Sequence, residues 1–167
     1  EDVLFVSSDG VTISGFTIQN GGLFNYTYSG IILHFCNNST IMDNTIASNF
    51  GRSIYLSNSS NNTVTGNSIL HNSYCIYLSY SNKNTITHNN VSNNFEGVTL
   101  SYSNNNIIEG NTISNNAYGI FLDSSSNNNI MGNNVSNHHR SIFLLNHGNN
   151  NHLYHNNLIN STHNAYD

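Results

Sequence analysis

The sequence predicts an all-β chain wound as a right-handed, single-stranded parallel β-helix, about seven coils of about 22 residues with three short strands in each. Three observations carry that expectation. An apolar triplet recurs every 22 residues, two β-branched columns keep step with it, and asparagines keep phase with all three.

The triplet has the form I-x-L. It stands as "IYL" from Ile54 and from Ile76, "VTL" from Val98, and "IFL" from Ile120 and from Ile142. "IIL" from Ile31 lies 23 residues before Ile54, and "VLF" from Val3 aligns 28 residues earlier still. Eight residues after the last position of each triplet come Ile13, Ile41, Val64, Ile86, Ile108 and Ile130. Five further on come Ile18, Ile46, Ile69, Val91, Ile113 and Val135, and Leu153 and Leu158 continue both columns with a one-residue slip. The extra residues of the first repeat fall in "NGGLFNYTYSG", residues 20–30, which predicts a loop bulging from one corner.

These apolar segments are only two to five residues long and show no 3.6-residue period, so they read as strands. Three such strands cannot bury an apolar face alone, but stacked coils wall one another in. A left-handed β-helix needs a six-residue apolar period, which is absent.

The chain carries 37 Asn and 24 Ser, with no Pro or Trp. Tracts such as "NNNIMGNNVSN", 127–137, suggest low-complexity disorder. Disorder goes with low hydrophobicity and high charge, whereas here 37% of residues are hydrophobic and 7% charged. The asparagines also fall into columns: Asn44, Asn67, Asn89, Asn111 and Asn133; Asn49, Asn72, Asn94 and Asn116, continued by His138; and Asn62, Asn84, Asn106 and Asn128. All sit between strands, where Asn tolerates left-handed backbone and stacked amides can bond along the axis.

Composition excludes several function classes. The three basic residues, Arg52, Lys83 and Arg140, are far apart and the formal net charge is −5, so no nucleic-acid footprint exists. No apolar run approaches the ~20 residues of a membrane span. The opening "EDVLFVSSDG" and the closing "HNAYD" lead us to expect that residues 1–167 form one β-helix domain, a fragment or module of a longer chain.

The repeat "GVTLSYSNNNIIEGNTISNNAYG", 97–119, resembles the parallel β-helix repeats called CASH or NosD-like, and the ending "NNLINSTHNAYD" is similar to the closing turn of archaeal cell-surface members. The resemblance implies the fold. It leaves open sugar hydrolysis, carbohydrate binding, surface-layer roles and accessory functions in copper-enzyme maturation.

The chemistry-bearing residues select among these. Carbohydrate-cleaving sites need paired carboxylates. In register only Glu96 and Asp123 approach the outer face of the first strand, about five residues apart along it, too far for a pair. The nine His residues scatter, with at most His139 and His163 approaching each other, so neither a metal nor any other cofactor is expected. Cys36 falls in the column of Ser59, Ser81, Ser103 and Ser125, read as a hydroxyl ladder without a catalytic base. Cys75 falls in that of Gly30, Ser53, Gly97, Gly119 and Ser141, read as small residues packed before a strand. Two coils apart, the cysteines are expected to be free thiols. Asn-x-Ser/Thr sequons at Asn25, Asn37, Asn38, Asn58, Asn61, Asn90, Asn134 and Asn160 would suit glycan attachment if the chain is extracellular.

One surface feature stands out. Outward positions of the first strand carry Tyr55, Tyr77, Thr99, Phe121 and Phe143, and just before it come Arg52, Tyr74, Glu96, Tyr118 and Arg140. The candidate binding residues are therefore Arg52, Tyr55, Tyr74, Tyr77, Tyr118, Phe121, Arg140 and Phe143, an aromatic stripe fit for sugar rings or a protein partner. The expected role is a non-enzymatic structural or adhesive module of a cell-surface or envelope protein, extracellular or periplasmic. Its expected partners are cell-surface glycans or neighbouring subunits, with self-assembly through the ends or faces of the stack. The alternatives are a carbohydrate-binding domain of a sugar-processing protein and a NosD-like periplasmic copper-maturation accessory protein.

Overall fold

The computed structural model describes residues 1–21, 28–146 and 148–166. Among them, 22 strands and no helix form three parallel sheets. The first sheet stacks Leu4–Val6, Ser29–His34, Arg52–Ser57, Tyr74–Ser79, Glu96–Ser101, Tyr118–Asp123, Arg140–Leu145 and His163–Tyr166. Three-residue strands build the other two sheets, for example Thr85–Thr87 in the second and Asn90–Ser92 in the third. The chain visits the sheets in rotation and makes seven three-strand coils plus the first strand of another. Parallel crossovers of this kind wind right-handed.

Register follows the sequence period. Ile54 pairs with Ile76 and Leu56 with Leu78, then Ile76 with Val98 and Leu78 with Leu100. Ile86 pairs with Ile108, and Val91 with Ile113. All of these side chains are fully buried in one continuous core. Stacking gives each aliphatic side chain the same neighbour above and below, which is what three-residue strands need to bury a face. The slip in the last repeat is also present, with Ile130 paired to Leu153 and Val135 to Leu158.

The first coil departs from the sequence reading. Its inward triplet is Leu4–Val6, with Leu4 opposite Ile31 and Val6 opposite Leu33, not the alignment from Val3. Val3 and Phe5 point to solvent, whereas Leu4 and Val6 pack on the core. The corner between Val6 and Ile13 is one residue shorter than that between Leu33 and Ile41, and this hid the shift. The loop expected within residues 20–30 falls largely on 22–27, outside the described residues.

A second difference concerns the long strands. They run six residues, so Arg52, Tyr74, Glu96, Tyr118 and Arg140 begin the strands rather than precede them. Pairing skips the next position, that of Ser53, Cys75, Gly97, Gly119 and Ser141. The chain bends there, and a Cβ on Gly97 would stand 2.3 Å from the Gly119 carbonyl oxygen. The bend breaks the two-residue alternation, which turns both the first and the fourth residue of each strand outward.

The corners are closed by side-chain ladders. In the column through Asn89, each Oδ1 accepts from the backbone N–H and the Nδ2 of the residue one coil earlier. Thus Asn67 donates both to Asn89 at 3.0 Å, and Asn89 donates to Asn111 at 2.9 and 3.0 Å. Nδ2 of Asn89 also reaches the carbonyls of Val64 and Thr87. This ladder runs from Asn44 to Asn156, and the one through Asn106 runs from Ser39 to Asn151. The Ser column forms a fourth ladder, which Cys36 enters by donating its N–H to Ser59 Oγ. Both cysteines are free and buried.

Left-handed backbone is not the rungs' task. It belongs to the residue just before each rung: Asn61, Lys83, Asn105 and Asn127 before Asn62, Asn84, Asn106 and Asn128, and Asn93 and Asn115 before Asn94 and Asn116. In the pairs Asn61–Asn62, Asn93–Asn94, Asn105–Asn106, Asn115–Asn116 and Asn127–Asn128 the first residue makes the turn and the second is buried as a rung. The tight turn aims the following side chain inward, so one residue cannot fill both roles.

His138 stands in for Asn in the third-corner ladder. Its Nδ1 is placed to accept from the Asn116 N–H at 3.1 Å, with the Asn116 carbonyl at 3.0 Å from the same nitrogen, and in that tautomer Nε2 donates to the Ile113 carbonyl at 3.0 Å. The imidazole thus supplies the acceptor and the donor of a carboxamide rung. Burial pushes its pKa below the usual histidine value, against the opposing effect of its backbone hydrogen bonds.

Two tests follow from the corners. Replacing Asn106 by Gly leaves the Asn84 N–H and Nδ2 facing a dry interior without their acceptor, a loss of roughly 2–4 kcal/mol. Replacing Asn105 by Gly keeps the turn and changes stability by about 1 kcal/mol or less. Urea denaturation of both variants should separate them. The depressed His138 pKa also fixes a sign. The unfolded chain binds a proton below about pH 6.5 that the folded ring resists, so this contribution is complete above that pH and lost as pH falls toward the folded value. His138→Asn should flatten the stability profile over that window.

Candidate functional site

The bend in the long strands creates two outward columns on the first sheet. One holds Arg52, Tyr74, Glu96, Tyr118 and Arg140, and the other Tyr55, Tyr77, Thr99, Phe121 and Phe143, each in register from coil to coil. All eight residues expected from the sequence therefore lie on one face, where they divide into two banks.

In the first bank, Tyr55 and Tyr77 meet edge to face at 5.7 Å, and Tyr74 meets Tyr77 at 6.3 Å. The Arg52 guanidinium lies 4.5 Å from the Tyr55 ring centre and 4.8 Å from that of Tyr77. In the second bank, Phe121 stacks on Phe143 at 5.2 Å, and Tyr118 lies 6.0 Å from Phe121. Arg140 covers Phe143 at 4.4 Å. Phe143 is only 8% exposed, so it supports the bank from below instead of offering an open ring. Much of the stripe's surface is used in contacts among its own rings.

Between the banks the ladder of rings is interrupted. Thr99 replaces an aromatic residue there, and Glu96 stands beside it. A cavity of about 230 Å³ opens at this point, lined by Arg52, Tyr74, Tyr77, Glu96, Thr99, Ser101, Phe121 and Asp123. The Thr99 hydroxyl donates to Glu96 Oε2 at 2.7 Å. Burial pushes the Glu96 carboxyl above its usual range, opposed by the Thr99 hydrogen bond and by Arg52. Burial likewise raises the Tyr77 phenol, opposed chiefly by its hydrogen bond with Ser101 and by Arg52.

Glu96 and Asp123 both line this cavity. Their strand positions differ by five residues in register, about 16 Å along the chain. Asp123 Oδ1 is held by Ser124 Oγ at 3.1 Å and Asn146 Nδ2 at 2.7 Å. Phe95, missed in the sequence, links the banks by contacting Tyr74 at 6.2 Å and Tyr118 at 6.0 Å. Its position before the strand, shared with Ser73 and Ala117, gave no repeated aromatic to notice.

His139 and His163 do approach, with ring centres 5.6 Å apart. Among the described residues no three His, Cys, Asp or Glu side chains converge, and His147 lies outside those residues. The sequons at Asn38, Asn58, Asn61, Asn90, Asn134 and Asn160 are exposed, and Asn25 lies outside the described residues.

A family model described as "Right handed beta helix region" matches residues 2–158. The chain belongs to this right-handed β-helix family. No curated protein matches it. Among solved structures, this β-helix is similar to the A-module of mannuronan C-5 epimerase AlgE4 from Azotobacter vinelandii, with TM-score 0.71 and 15% identity over 98% of this chain and 56% of that one. It is also similar to the A-module of AlgE6 from the same organism, with TM-score 0.58 and 16% identity over 96% of this chain and 55% of that one. The β-helix thus spans little more than half of either module, and at these identities the likeness is one of fold.

The buried Glu96 carboxyl sets a pH test. Between the ordinary carboxylate range and its raised value, the folded protein keeps a proton that the unfolded chain has released, so stability falls as pH rises through that window. Glu96→Gln retains an acceptor for Thr99 and carries no charge. Its melting temperature should exceed the native value at pH 7, with the difference vanishing below the ordinary carboxylate range.

Proposed function

We propose that this β-helix is a non-enzymatic, extracytoplasmic module of a cell-surface or envelope protein, and that its first sheet binds a neutral glycan at the Thr99 notch. The observation that carries the reading is the gap itself: one long strand whose two outward positions, Glu96 and Thr99, carry no ring, flanked by two aromatic banks and floored by hydroxyl and carboxylate oxygens. Pyranose rings offer an apolar C–H face and an equatorial belt of hydroxyls. Aromatic walls with a few polar groups suit both. A cavity of about 230 Å³ is smaller than typical small-molecule sites, so the notch would grip one ring of a longer chain.

Charge favours neutral sugars. The lining holds two carboxylates against one guanidinium, and the whole chain is at −5. Mannuronan, named for the similar A-modules, is a polyanion that this lining would repel. The non-enzymatic reading rests on the carboxylates. They stand five residues apart in strand register rather than at facing positions, and Asp123 is turned toward Ser124 and Asn146.

Calorimetric titration with mannohexaose, cellohexaose and a mannuronate hexamer tests this. At least one neutral hexamer should bind, and Tyr77→Ala and Phe121→Ala should each weaken it roughly tenfold with the circular dichroism spectrum retained. Equal affinity in both variants, preference for the uronate, or conversion of any of the sugars would sink the reading.

A further inference from the structure

The corner that follows the long strands carries an unexplained strain. Its left-handed position is filled, coil by coil, by Phe35, Asn58, Tyr80, Tyr102, Ser124 and Asn146. Every other left-handed Phe or Tyr is absent among the described residues: Phe35, Tyr80 and Tyr102 are the three, and all fall in this one column. Bulky residues disfavour positive φ, whereas Asn and Gly accept it. Tyr80 and Tyr102 sit there at φ 50° and 48°, although Asn58 shows that this corner accepts the less strained residue.

The two rings are not buried. They are 56% and 49% exposed, and they stack in parallel, 5.0 Å between centres with 5° between planes. That separation matches the ~4.8 Å rise of one coil, so the stack runs along the solenoid. The next position is Ser124, whose small side chain ends it. The face of Tyr102 turned away from Tyr80 therefore looks toward a place where a ring is missing. Asp123 lies beside that place, bonded to Ser124 Oγ, and it also lines the notch together with Ser101.

We propose that Tyr80 and Tyr102 form a second saccharide subsite, in which a pyranose ring stacks on Tyr102 above Ser124 and donates a hydroxyl to Asp123. This rests on the glycan reading of the notch and extends it. A bound oligosaccharide leaves the notch at its Ser101–Asp123 end and continues over the corner. Two flat, half-exposed rings held in unfavourable backbone geometry beside a carboxylate are accounted for by a ligand, whereas folding alone is served by Asn.

The test uses the intact chain and manno- and cello-oligosaccharides of two and six rings. Tyr80→Asn/Tyr102→Asn should leave two-ring affinity unchanged, weaken six-ring binding about three- to tenfold, and melt no lower than the native protein. Tyr102→Phe keeps the ring face and should keep the affinity. Unchanged six-ring binding in the double Asn variant, or an equal loss for both lengths, overturns the subsite. So does a double variant that melts well below the native protein, since the rings would then serve the fold. Tyr77→Ala reports separately on the notch: if it binds both lengths normally while the double Asn variant loses the six-ring ligand, the notch reading fails and the corner stands. No binding of any of these sugars by the native protein overturns both.

Discussion

A corner carboxamide can accept two hydrogen bonds and donate two, and every coil of this β-helix depends on that capacity. Turning a chain three times in 22 residues leaves backbone N–H and C=O groups pointing into the stack, where water cannot reach them. Asn89 accepts from two donors of Asn67 and returns its own Nδ2 to the carbonyls of Val64 and Thr87. One side chain thus satisfies the corner of its own coil and that of the coil before. The aliphatic columns supply hydrophobic driving force but carry no direction along the turn. The ladders supply the registration, because a one-residue slip would turn every amide out to solvent and every neighbour in.

His138 shows that the constraint is on hydrogen-bond valence and not on residue identity. An imidazole in the right tautomer presents one acceptor and one donor, and it takes the rung between Asn116 and Ser161. A protonated ring would find carbonyl acceptors for both N–H groups, Asn116 at Nδ1 and Ile113 at Nε2, but would leave the Asn116 N–H without its acceptor. Ser and Cys enter another ladder on the same logic, the serines as acceptors and donors and Cys36 through its N–H at the ladder's first rung.

Most of the fold was legible because the 22-residue period writes each column into the sequence several times. What was not legible had no repetition to expose it. The register of the first coil rests on a single corner one residue shorter than that of the next coil, and Val3 and Leu4 are both apolar. In pairs such as Asn105–Asn106 the two residues are identical, so composition could not say which turns the chain and which is buried; the coordinates separate them by φ and burial. The stripe of rings was visible as two columns, but its gap was not. Thr99 reads as one more β-former until its neighbours stand on both sides, and its 3% exposure comes from residues one coil away in each direction.

The same geometry explains why recognition should belong to the first sheet. The second and third sheets are made of three-residue strands, each with one residue inward and its two flanks outward. Their outer surfaces are mostly rows of Thr, Ser and Asn, and the larger side chains among them, such as Met42, Leu70 and Glu109, form no column of rings. The long strands carry six residues and a bend at a small side chain, which turns outward two residues three apart. Two parallel rows of large side chains then bound a strip of surface along the axis, and the loss of one ring from one row is enough to open a notch. The bend that forms those rows is possible because Gly97 and its counterparts let neighbouring backbones approach without a Cβ or with a small side chain. A feature of folding economy, the tight packing of coil on coil, is thereby also the feature that gives the outer face its relief.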